Sequence, residues 1–293
     1  MSKQHLMSLE TVFVTVPEVA TEAYEAALAT TCSSIGFFRS DTDGEWRIEG
    51  VKPIGVGDAA LAAALALAEA ATGIGADLHR QATPAEGWLA HTRASFPEQH
   101  IGRRFAVRGT HLAGPPTSGR ITLTLDAGLA FGSGEHGSTR GCLRALEQVA
   151  WHRPRRILDL GTGSGILAMA AARLLHRRVL AVDIEPWSVR VARQNARLNR
   201  LSHLVDVRLG NGWRTAAVRG AGPYDLVFAN ILARPLCAMA RDLANRLAPG
   251  GTAILSGLLR TQSRRVLLAH RRRGLRLERS LTEGVWTTLV LCR

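Results

Sequence analysis

The residues best suited to chemistry form a glycine-rich segment at positions 159–165, which reads DLGTGSG. It follows an apolar stretch with strand character and precedes a helical pattern that begins at Ile166. Glycines allow the backbone to turn sharply and to approach a ligand closely. The amino end of the following helix leaves free N–H groups that attract anionic groups. We therefore expect Gly161 and Gly163 to line a site for a nucleotide-like cofactor.

A carboxylate stands at a suitable distance beyond this segment. Asp183 ends the next predicted strand, 22 residues after Gly161. An acid at this point of an α/β sheet can accept hydrogen bonds from both hydroxyls of an adenosine ribose. A lone glycine-rich turn is often only a loop, but here strand, glycines, helix, second strand and terminal acid occur in order. This combination favours an adenosine-containing cofactor.

The spacing of the glycines separates two classes of cofactor. Dinucleotide-binding loops need a small residue at position 166, whereas this chain has Ile166, and its third glycine comes one residue earlier at Gly165. A small residue there lets the helix pack close enough for a pyrophosphate to sit on its end, so NAD and FAD are disfavoured. The GxGxG spacing resembles that of class I methyltransferases, whose ligand places an amino-acid carboxylate and a sulfonium at this loop.

Other polar residues are candidates for the same site. Thr139 lies at the start of a predicted helix, where its hydroxyl either caps N–H groups or binds a carboxylate. Asn230 follows a predicted buried strand, and its amide either accepts from a substrate amine or stabilises a turn. Residues 211–212 either form a simple turn or line an adenine pocket. His136 has no identifiable Asp or Ser partner, so we assign it no catalytic role.

A longer set of motifs resembles one known family. Residues 126–140, DAGLAFGSGEHGSTR, are similar to the signature loop of the PrmA family of ribosomal protein methyltransferases. Five later segments also match its motifs in order, namely residues 159–168, 182–186, 229–233, 247–251 and 255–259. The matches cover most of residues 120–260. The front of the chain is similar to the family in length and element order rather than in motif.

The resemblance implies S-adenosylmethionine as the cofactor, with contacts from Thr139, Gly161, Asp183 and Asn230. Asn230 is also the candidate catalytic residue, because it is expected to border both the cofactor and the amine. The chain departs from the family's usual residues in two places. Gly-Ser replaces Pro-Thr at positions 137–138, and Thr162 stands where the family has Cys. Gly137 is expected to loosen its loop.

The elements around these residues indicate an α/β protein. From residue 120 onward predicted strands and helices alternate, which is typical of a doubly wound, mostly parallel sheet. Residues 9–78 have a β-α-β-β-α order that is compatible with a small ferredoxin-like α+β fold. We therefore predict three parts. They are a substrate-recognition domain at residues 1–78, a connector at 79–118 and an S-adenosylmethionine-binding catalytic domain at 119–293.

Charge is distributed unevenly between these parts. Residues 1–78 carry four basic and eleven acidic side chains, a net charge of −7, and the remaining 33 basic and 13 acidic side chains give +20. An acidic front suits a basic partner, and an arginine-rich body suits RNA. The expected partner is a basic ribosomal protein of the large subunit as substrate, with ribosomal RNA as a further contact. Two solvated surfaces without partners are the alternative.

Three functions remain open on these residues. The first is a protein N-methyltransferase that modifies lysine or N-terminal amines of the ribosomal protein. The second is an RNA or small-molecule methyltransferase on the same fold, and the third is a binding module without catalysis. Fold alone does not decide among them. The four cysteines show no metal-ligand spacing, and no membrane segment or secretory signal is visible, so we expect a cytoplasmic enzyme without a metal.

Overall fold

The structure is a computed structural model that describes residues 9–32, 34–39, 45–82, 97–116, 119–125 and 137–293. The chain divides into two compact units, Met1–His91 and Thr92–Arg293. The first unit contains one sheet and the second contains two, and each unit has its own buried side chains.

The first unit contains a four-stranded antiparallel sheet with the strand order β2-β3-β1-β4. Its elements are β1 (Leu9–Val16), α1 (Thr21–Leu28), β2 (Ser34–Arg39), β3 (Trp46–Pro53), α2 (Asp58–Thr72) and β4 (His79–Ala82). The predicted β-α-β-β-α order is confirmed, and a fourth strand completes the ferredoxin-like sheet. Alternate residues of β1, Val12, Val14 and Val16, are fully buried, as expected for a sheet with one covered face.

A buried cation lies between the sheet and α2. Lys52 is fully buried, and its Nζ is 2.7 Å from both Glu10 Oε1 and Asp58 Oδ1. Arg80 from β4 joins the same two carboxylates at 3.0 and 3.1 Å. Such a cluster compensates the cost of burying the ammonium group. Because Arg80 belongs to β4, this cluster also ties the fourth strand to the unit.

The described strands within the predicted connector, residues 79–118, each pair with a sheet of one of the two units. His79–Ala82 is β4 of the first sheet, paired with β1. Its four residues are exposed and show no apolar alternation, so only pairing with β1 makes it a strand. In the second unit β5 (Gln99–Ile101) and β6 (Phe105–Gly109) form a small sheet with β7 (Ile121–Leu125). A boundary at residue 78 separates β4 from its partner β1, and a boundary at residue 118 separates β7 from its partner β6.

The second unit is built on a seven-stranded sheet with the order β10-β9-β8-β11-β12-β14-β13. Its strands are β8 (Ile157–Leu160), β9 (Val179–Asp183), β10 (Val205–Leu209), β11 (Tyr224–Asn230), β12 (Leu247–Leu259), β13 (Arg276–Glu283) and β14 (Trp286–Cys292). β8 to β12 are parallel, and β14 and β13 are added as an antiparallel hairpin. The predicted doubly wound, mostly parallel sheet is thus confirmed.

Helices alternate with the parallel strands of this sheet. They are α3 (Gly137–Val149), α4 (Ile166–Leu175), α5 (Pro186–Leu198), α6 (Ala216–Ala221), α7 (Ala233–Ala238), α8 (Ala240–Arg246) and α9 (Ser263–Arg271). Two apolar clusters are present, one including Phe228 and Ile254 and the other including Val227 and Leu255. Because successive residues of a strand point to opposite faces, these clusters lie on the two faces of the sheet.

Two local predictions need correction. The sequence pattern of residues 236–247 predicts one helix, whereas the structure has two short helices, α7 and α8, with Met239 between them. An acid before the apolar run predicts Asp58 as the cap of α2, but the cap is Gly57, which has a left-handed conformation, and Asp58 is the first residue of the helix. A further helix-like patch, which the sequence indicates around Trp88, lies outside the described residues.

In the described part, no helix has the length and apolarity needed to cross a membrane.

Candidate active site at the carboxyl edge of the parallel strands

The glycine-rich turn between β8 and α4 is held tightly against its neighbours. The Gly161 N–H donates to the carbonyl of Val182 in β9 at 2.8 Å. Gly161 has a φ of +69°, a region that L side chains rarely adopt. A Cβ there would also collide with the side chain of Ile231, which follows Asn230. Gly161 is therefore required by two things at once, a left-handed turn and close contact with the end of β11.

Asp183 organises this turn. Its carboxylate accepts two backbone hydrogen bonds, from the Gly163 N–H at 2.8 Å and from the Glu185 N–H at 3.0 Å. The side chain lies at the carboxyl end of β9 and is largely buried. Each carboxylate oxygen can accept two hydrogen bonds, so the group keeps capacity for ribose hydroxyls. Asp183 thus has a structural role that the sequence did not predict, in addition to the predicted site role.

A second carboxyl group lies beneath the turn. Asp159 is almost fully buried, and its Oδ2 accepts from the Thr162 hydroxyl at 2.6 Å and from the Ala168 N–H at 3.2 Å. Its Oδ1 has no hydrogen-bond partner among the residues that the structure describes. Burial raises the pKa of Asp159 to about 7, against the lowering effect of these two hydrogen bonds. The Thr162 hydroxyl, where the family usually has Cys, supplies one of them.

Thr139 and Asn230 meet across the sheet edge. The Asn230 Nδ2 lies 3.4 Å from the Thr139 Oγ1 and donates a weak hydrogen bond to it. Thr139 is fully buried in the first turn of α3, whereas Asn230 is half-buried at the end of β11. The Thr139 side chain therefore faces the end of the sheet and is not a plain helix cap. Asn230 lies beside the glycine turn, because the side chain of the next residue, Ile231, packs where a Cβ on Gly161 would be.

The start of α3 is anchored by the neighbouring strands. Ser256 of β12 pairs in register with Asn230, and its hydroxyl donates to the Ser138 carbonyl at 3.2 Å. The same hydroxyl is 2.8 Å from the Thr288 Oγ1 in β14. Ser256 and Ser138 are fully buried. This network positions Thr139, because it holds the residue that precedes Thr139 in α3.

Gly137 is the first residue of α3 and faces the β13–β14 hairpin. A Cβ at position 137 would lie 2.8 Å from the Glu283 carbonyl oxygen and 2.8 Å from the Trp286 Cδ1. Glu283 also forms ion pairs with Arg140, at 3.7 Å, and with Arg144, one helical turn further on. The loop that Gly137 is expected to loosen lies outside the described residues, and Gly137 itself begins α3. Its missing side chain lets the hairpin approach the helix that carries Thr139.

The structure thus brings the predicted residues to one edge of the sheet. The Gly163 N–H donates to the Asp183 carboxylate, the Gly161 N–H donates to the carbonyl of the preceding residue in β9, and Asn230 donates to Thr139. Asn211 is exposed before a short 3₁₀ turn, Gly212–Arg214. Residues 126–136, which include His136 and most of the signature loop, lie outside the described residues. No cluster of three or more His, Cys, Asp or Glu side chains suited to a metal ion occurs in the described part.

Sequence reasoning missed three residues that shape this edge: Ile231, Glu283 and Trp286. Each acts through a contact between segments distant in sequence, and none belongs to a polar motif. Ile231 has one available signal, because it directly follows the candidate Asn230. Glu283 and Trp286 flank a turn near the end of the chain, and nothing in the sequence relates that turn to α3.

The strand order of the seven-stranded sheet, with a glycine turn and the polar side chains of Asp183 and Asn230 at its carboxyl edge, defines a class I methyltransferase fold. The chain belongs to the PrmA family, described as ribosomal protein L11 methyltransferase, which matches residues 57–293. The chain is 38% identical over 278 residues to the ribosomal protein L11 methyltransferase of Caulobacter sp. (strain K31), covering 94% of this chain and 93% of that protein. It is 43% identical over 218 residues to the enzyme of that name from Chelativorans sp. (strain BNC1), covering 74% and 75%.

A solved structure gives the same result. The ribosomal protein L11 methylase from Lactobacillus delbrueckii subsp. bulgaricus is 30% identical to this chain, with a TM-score of 0.61. The match covers 67% of this chain and 98% of that one. The methyltransferase family and fold predicted from the sequence are therefore confirmed.

Proposed function

We propose that the chain transfers methyl groups from S-adenosylmethionine to lysine side chains, N-terminal amines or both in ribosomal protein L11. The observation that carries this proposal is the pairing of Asn230 with Thr139 at the sheet edge, beside the turn that Asp183 organises. The family supports the reaction and the name of the substrate. The kinds of amine are our inference from the chemistry of the site.

The proposed cofactor site uses Thr139, Gly161, Gly163, Asp183 and Asn230. Asp183 accepts from the ribose hydroxyls, because it is the carboxylate at the end of β9 and has unused acceptor capacity. The glycine turn lets the ligand approach the backbone closely. The Thr139 hydroxyl and the amino end of α3 bind the amino-acid carboxylate. When bound, S-adenosylmethionine supplies an electrophilic methyl group on its sulfonium.

Asn230 is the proposed catalytic residue. Its amide nitrogen is directed to Thr139, which leaves Oδ1 as the group that accepts a hydrogen bond from the substrate amine. A carbonyl acceptor orients a neutral amine for in-line attack without needing to remove a proton in the same step. Alignment of this kind lowers the barrier by fixing the reactants in the reactive geometry.

The proton balance fits a site without a strong base. A lysine amine with a pKa near 10.4 must be deprotonated at a cost of about 4–5 kcal/mol at pH 7. An N-terminal amine with a pKa near 8 costs only about 1 kcal/mol. Deprotonation can take place in solvent before the amine enters the site. The protein then has to exclude water and hold the neutral amine, and the second of these tasks is assigned to Asn230.

The proposal also assigns a substrate-recognition role to the predicted front domain, residues 1–78, and a cytoplasmic location to the enzyme. The net charge of −7 in this segment supports attraction of a basic ribosomal protein. The arginine-rich second unit supports a further contact with ribosomal RNA. A methyltransferase acting on RNA itself is the alternative function on the same fold.

The test is a methyl-transfer assay with separated substrates. The full chain is incubated with labelled S-adenosylmethionine and purified L11, and in parallel with ribosomal RNA free of protein. Label in L11, located by peptide mass spectrometry at lysine or N-terminal amines, supports the proposal. The Asn230→Ala variant serves as the matched control and should transfer much less label. Label in the RNA fraction alone would overturn the proposal in favour of the alternative.

A further inference from the structure

We propose that a groove on the second unit, at the amino edge of the parallel strands, binds a single-stranded RNA segment. We call this surface the arginine groove and define it by Arg104, Trp151, Arg153, Arg155 and Arg177. Both its chemistry and its position differ from those of the proposed methyl-transfer site. Its identification as an RNA site, rather than one for another polynucleotide, rests on the proposed ribosomal substrate.

The groove consists of two adjoining hollows. One has a volume of about 470 Å³ and is lined by Arg104, Trp151 and Arg177 among others. The other has a volume of about 270 Å³ and is lined by His152 and Arg155 among others. The two hollows share Arg153 and Pro154. Together the two hollows present four arginines, Arg104, Arg153, Arg155 and Arg177, on the same side of the unit.

The guanidinium groups of this surface are available to a ligand. Seven exposed arginines lie in or beside the groove, namely Arg103, Arg104, Arg153, Arg155, Arg156, Arg177 and Arg178. Across the described ranges none of them forms an ion pair with a carboxylate. The unpaired guanidinium groups produce a positive electrostatic potential over the groove, and this potential attracts a polyanion.

The carboxylates of the two acids that line the groove accept hydrogen bonds from backbone N–H groups. Glu147 accepts hydrogen bonds from the N–H groups of Arg103 and Arg104 at 3.1 and 2.7 Å. Asp225 accepts from the N–H groups of Arg155 and Arg156, both at 2.8 Å. Each carboxylate fixes a turn whose arginine side chains remain free to face solvent. The acids thus organise the cationic surface instead of neutralising its guanidinium groups.

An exposed aromatic group favours RNA over an acidic peptide. Trp151 is 75% exposed, which is unusual for an indole on a surface without a partner. Its ring is 3.7 Å from that of His152, measured between centroids. Aromatic side chains beside arginines are the groups on which unpaired bases stack, whatever their sequence. The proposed ligand is therefore a strand with at least one unpaired base and phosphates on the arginines.

The groove and the methyl-transfer site lie at opposite ends of the same strands. Arg155 and Arg156 precede β8, and Arg177 and Arg178 precede β9, whereas Gly161 and Asp183 follow these two strands. A strand of four or five residues separates the two edges by about 13–16 Å. RNA in the groove therefore leaves the methyl-transfer site open.

The test measures binding of a fluorescein-labelled single-stranded RNA of about 12 nucleotides by fluorescence anisotropy, over a series of salt concentrations. The charge-reversal variant Arg153→Glu/Arg177→Glu should bind at least tenfold more weakly. Its log–log salt slope should be less steep by about 1.4, the loss expected for two phosphate contacts on a single strand. Trp151→Ala should weaken binding of the single strand more than binding of a duplex of the same length.

The matched control is Arg260→Glu/Arg264→Glu, which makes the same change in net charge with exposed arginines outside the groove. It should bind RNA nearly as well as the unchanged protein. Equal loss in both double variants would overturn the proposal, because bulk charge would then explain the binding. Equal competition by poly-glutamate and RNA of the same charge would also overturn it. A DNA strand of the same length that binds more tightly than the RNA would likewise overturn it.

A further groove variant, Arg153→Gly, distinguishes loss of RNA binding from loss of the folded structure. Arg153 has a φ of +52°, which glycine adopts more easily than arginine. Arg153→Gly should therefore raise the melting temperature while weakening RNA binding, so loss of binding cannot be ascribed to unfolding. Methylation of isolated L11 should be unchanged in all groove variants, and that assay tests the proposed function separately. A groove variant that binds RNA normally would refute the site even if methylation proceeds as proposed.

Discussion

The side-chain nitrogen of Asn230 lies 3.4 Å from the hydroxyl oxygen of Thr139, although the two residues are 91 positions apart in the chain. One ends the strand β11, and the other lies in the first turn of α3. The contact fixes which end of the Asn230 amide faces the open edge of the sheet. With Nδ2 turned to Thr139, Oδ1 is left to accept a hydrogen bond, as the proposed role of Asn230 requires.

Replacing Asn230 by alanine should slow methyl transfer more than it weakens cofactor binding. We expect a decrease of about 10–100-fold in the single-turnover rate, because the amine loses the group that aligns it. Rapid-quench kinetics with saturating S-adenosylmethionine measure this rate. Thermal unfolding provides the control and should show a folded variant. An unchanged single-turnover rate would mean that Asn230 is structural.

Replacing Asp183 by alanine should weaken binding of S-adenosylmethionine. The loss of hydrogen bonds to an ionised acceptor is expected to cost about 1.5–3 kcal/mol, and the Gly163 and Glu185 N–H groups also lose their partner. Isothermal calorimetry measures the affinity. Asp206→Ala is a suitable control, because Asp206 is an exposed carboxylate whose ion pair is with Arg208. Equal affinities of the Asp183 variant and the unchanged protein would remove Asp183 from the site.

Adding a methyl group at Gly137 should destabilise the second unit. The new Cβ would lie 2.8 Å from the Glu283 carbonyl oxygen, and a backbone atom cannot move aside as cheaply as a side chain. We expect Gly137→Ala to lower the free energy of unfolding by about 1–3 kcal/mol. Gly220→Ala is the control, because no atom lies within 4 Å of its Cβ position and it is in a helix. That change should stabilise by about 0.5–1 kcal/mol. Urea denaturation compares the two, and equal effects would contradict the close approach of the hairpin.

Stability should depend on pH through Asp159. Burial raises the pKa of its carboxyl from 3.8 to about 7, so the folded chain binds this proton more tightly than the unfolded chain does. The stability that the folded chain has with a neutral Asp159 is fully present below about pH 4 and is lost as the pH rises towards 7. Between pH 5 and pH 8 the free energy of unfolding should fall by about 2–3 kcal/mol on this account. Asp159→Asn should remove this part of the pH dependence. Parallel pH profiles of the variant and the unchanged protein would show that Asp159 is already ionised.

The front domain should make methylation of L11 sensitive to salt. Its net charge of −7 attracts a basic substrate, and salt screens such attraction over about 8–10 Å. Activity at low substrate concentration should therefore fall as salt rises. The fragment Thr92–Arg293, a compact unit, should still bind S-adenosylmethionine but lose most of this activity and its salt dependence. A fragment that methylates L11 as well as the full chain does would argue against a docking role for the front domain.

The sequence by itself determined the class of fold and the order of its elements. Apolar strands that alternate with helices leave few arrangements other than a doubly wound parallel sheet. The start of α4 at Ile166 and the end of β9 at Asp183 were predicted to the residue, because apolar and helical patterns flank the glycine turn closely. The glycine turn and Asp183 were also recognisable, since they are close in sequence and their spacing reflects one βαβ unit.

Only the tertiary structure decided the relationships between distant segments. The strand β4 has no apolar pattern and exists because β1 presents an unpaired edge to it. Likewise, the need for glycine at position 137 arises from Glu283 and Trp286, which lie more than a hundred residues later. Local patterns report which face of an element is buried, but they do not report which segment covers it. The pairing of Thr139 with Asn230 is of the same kind, because packing of α3 against β11, β12 and β14 brings the two side chains together.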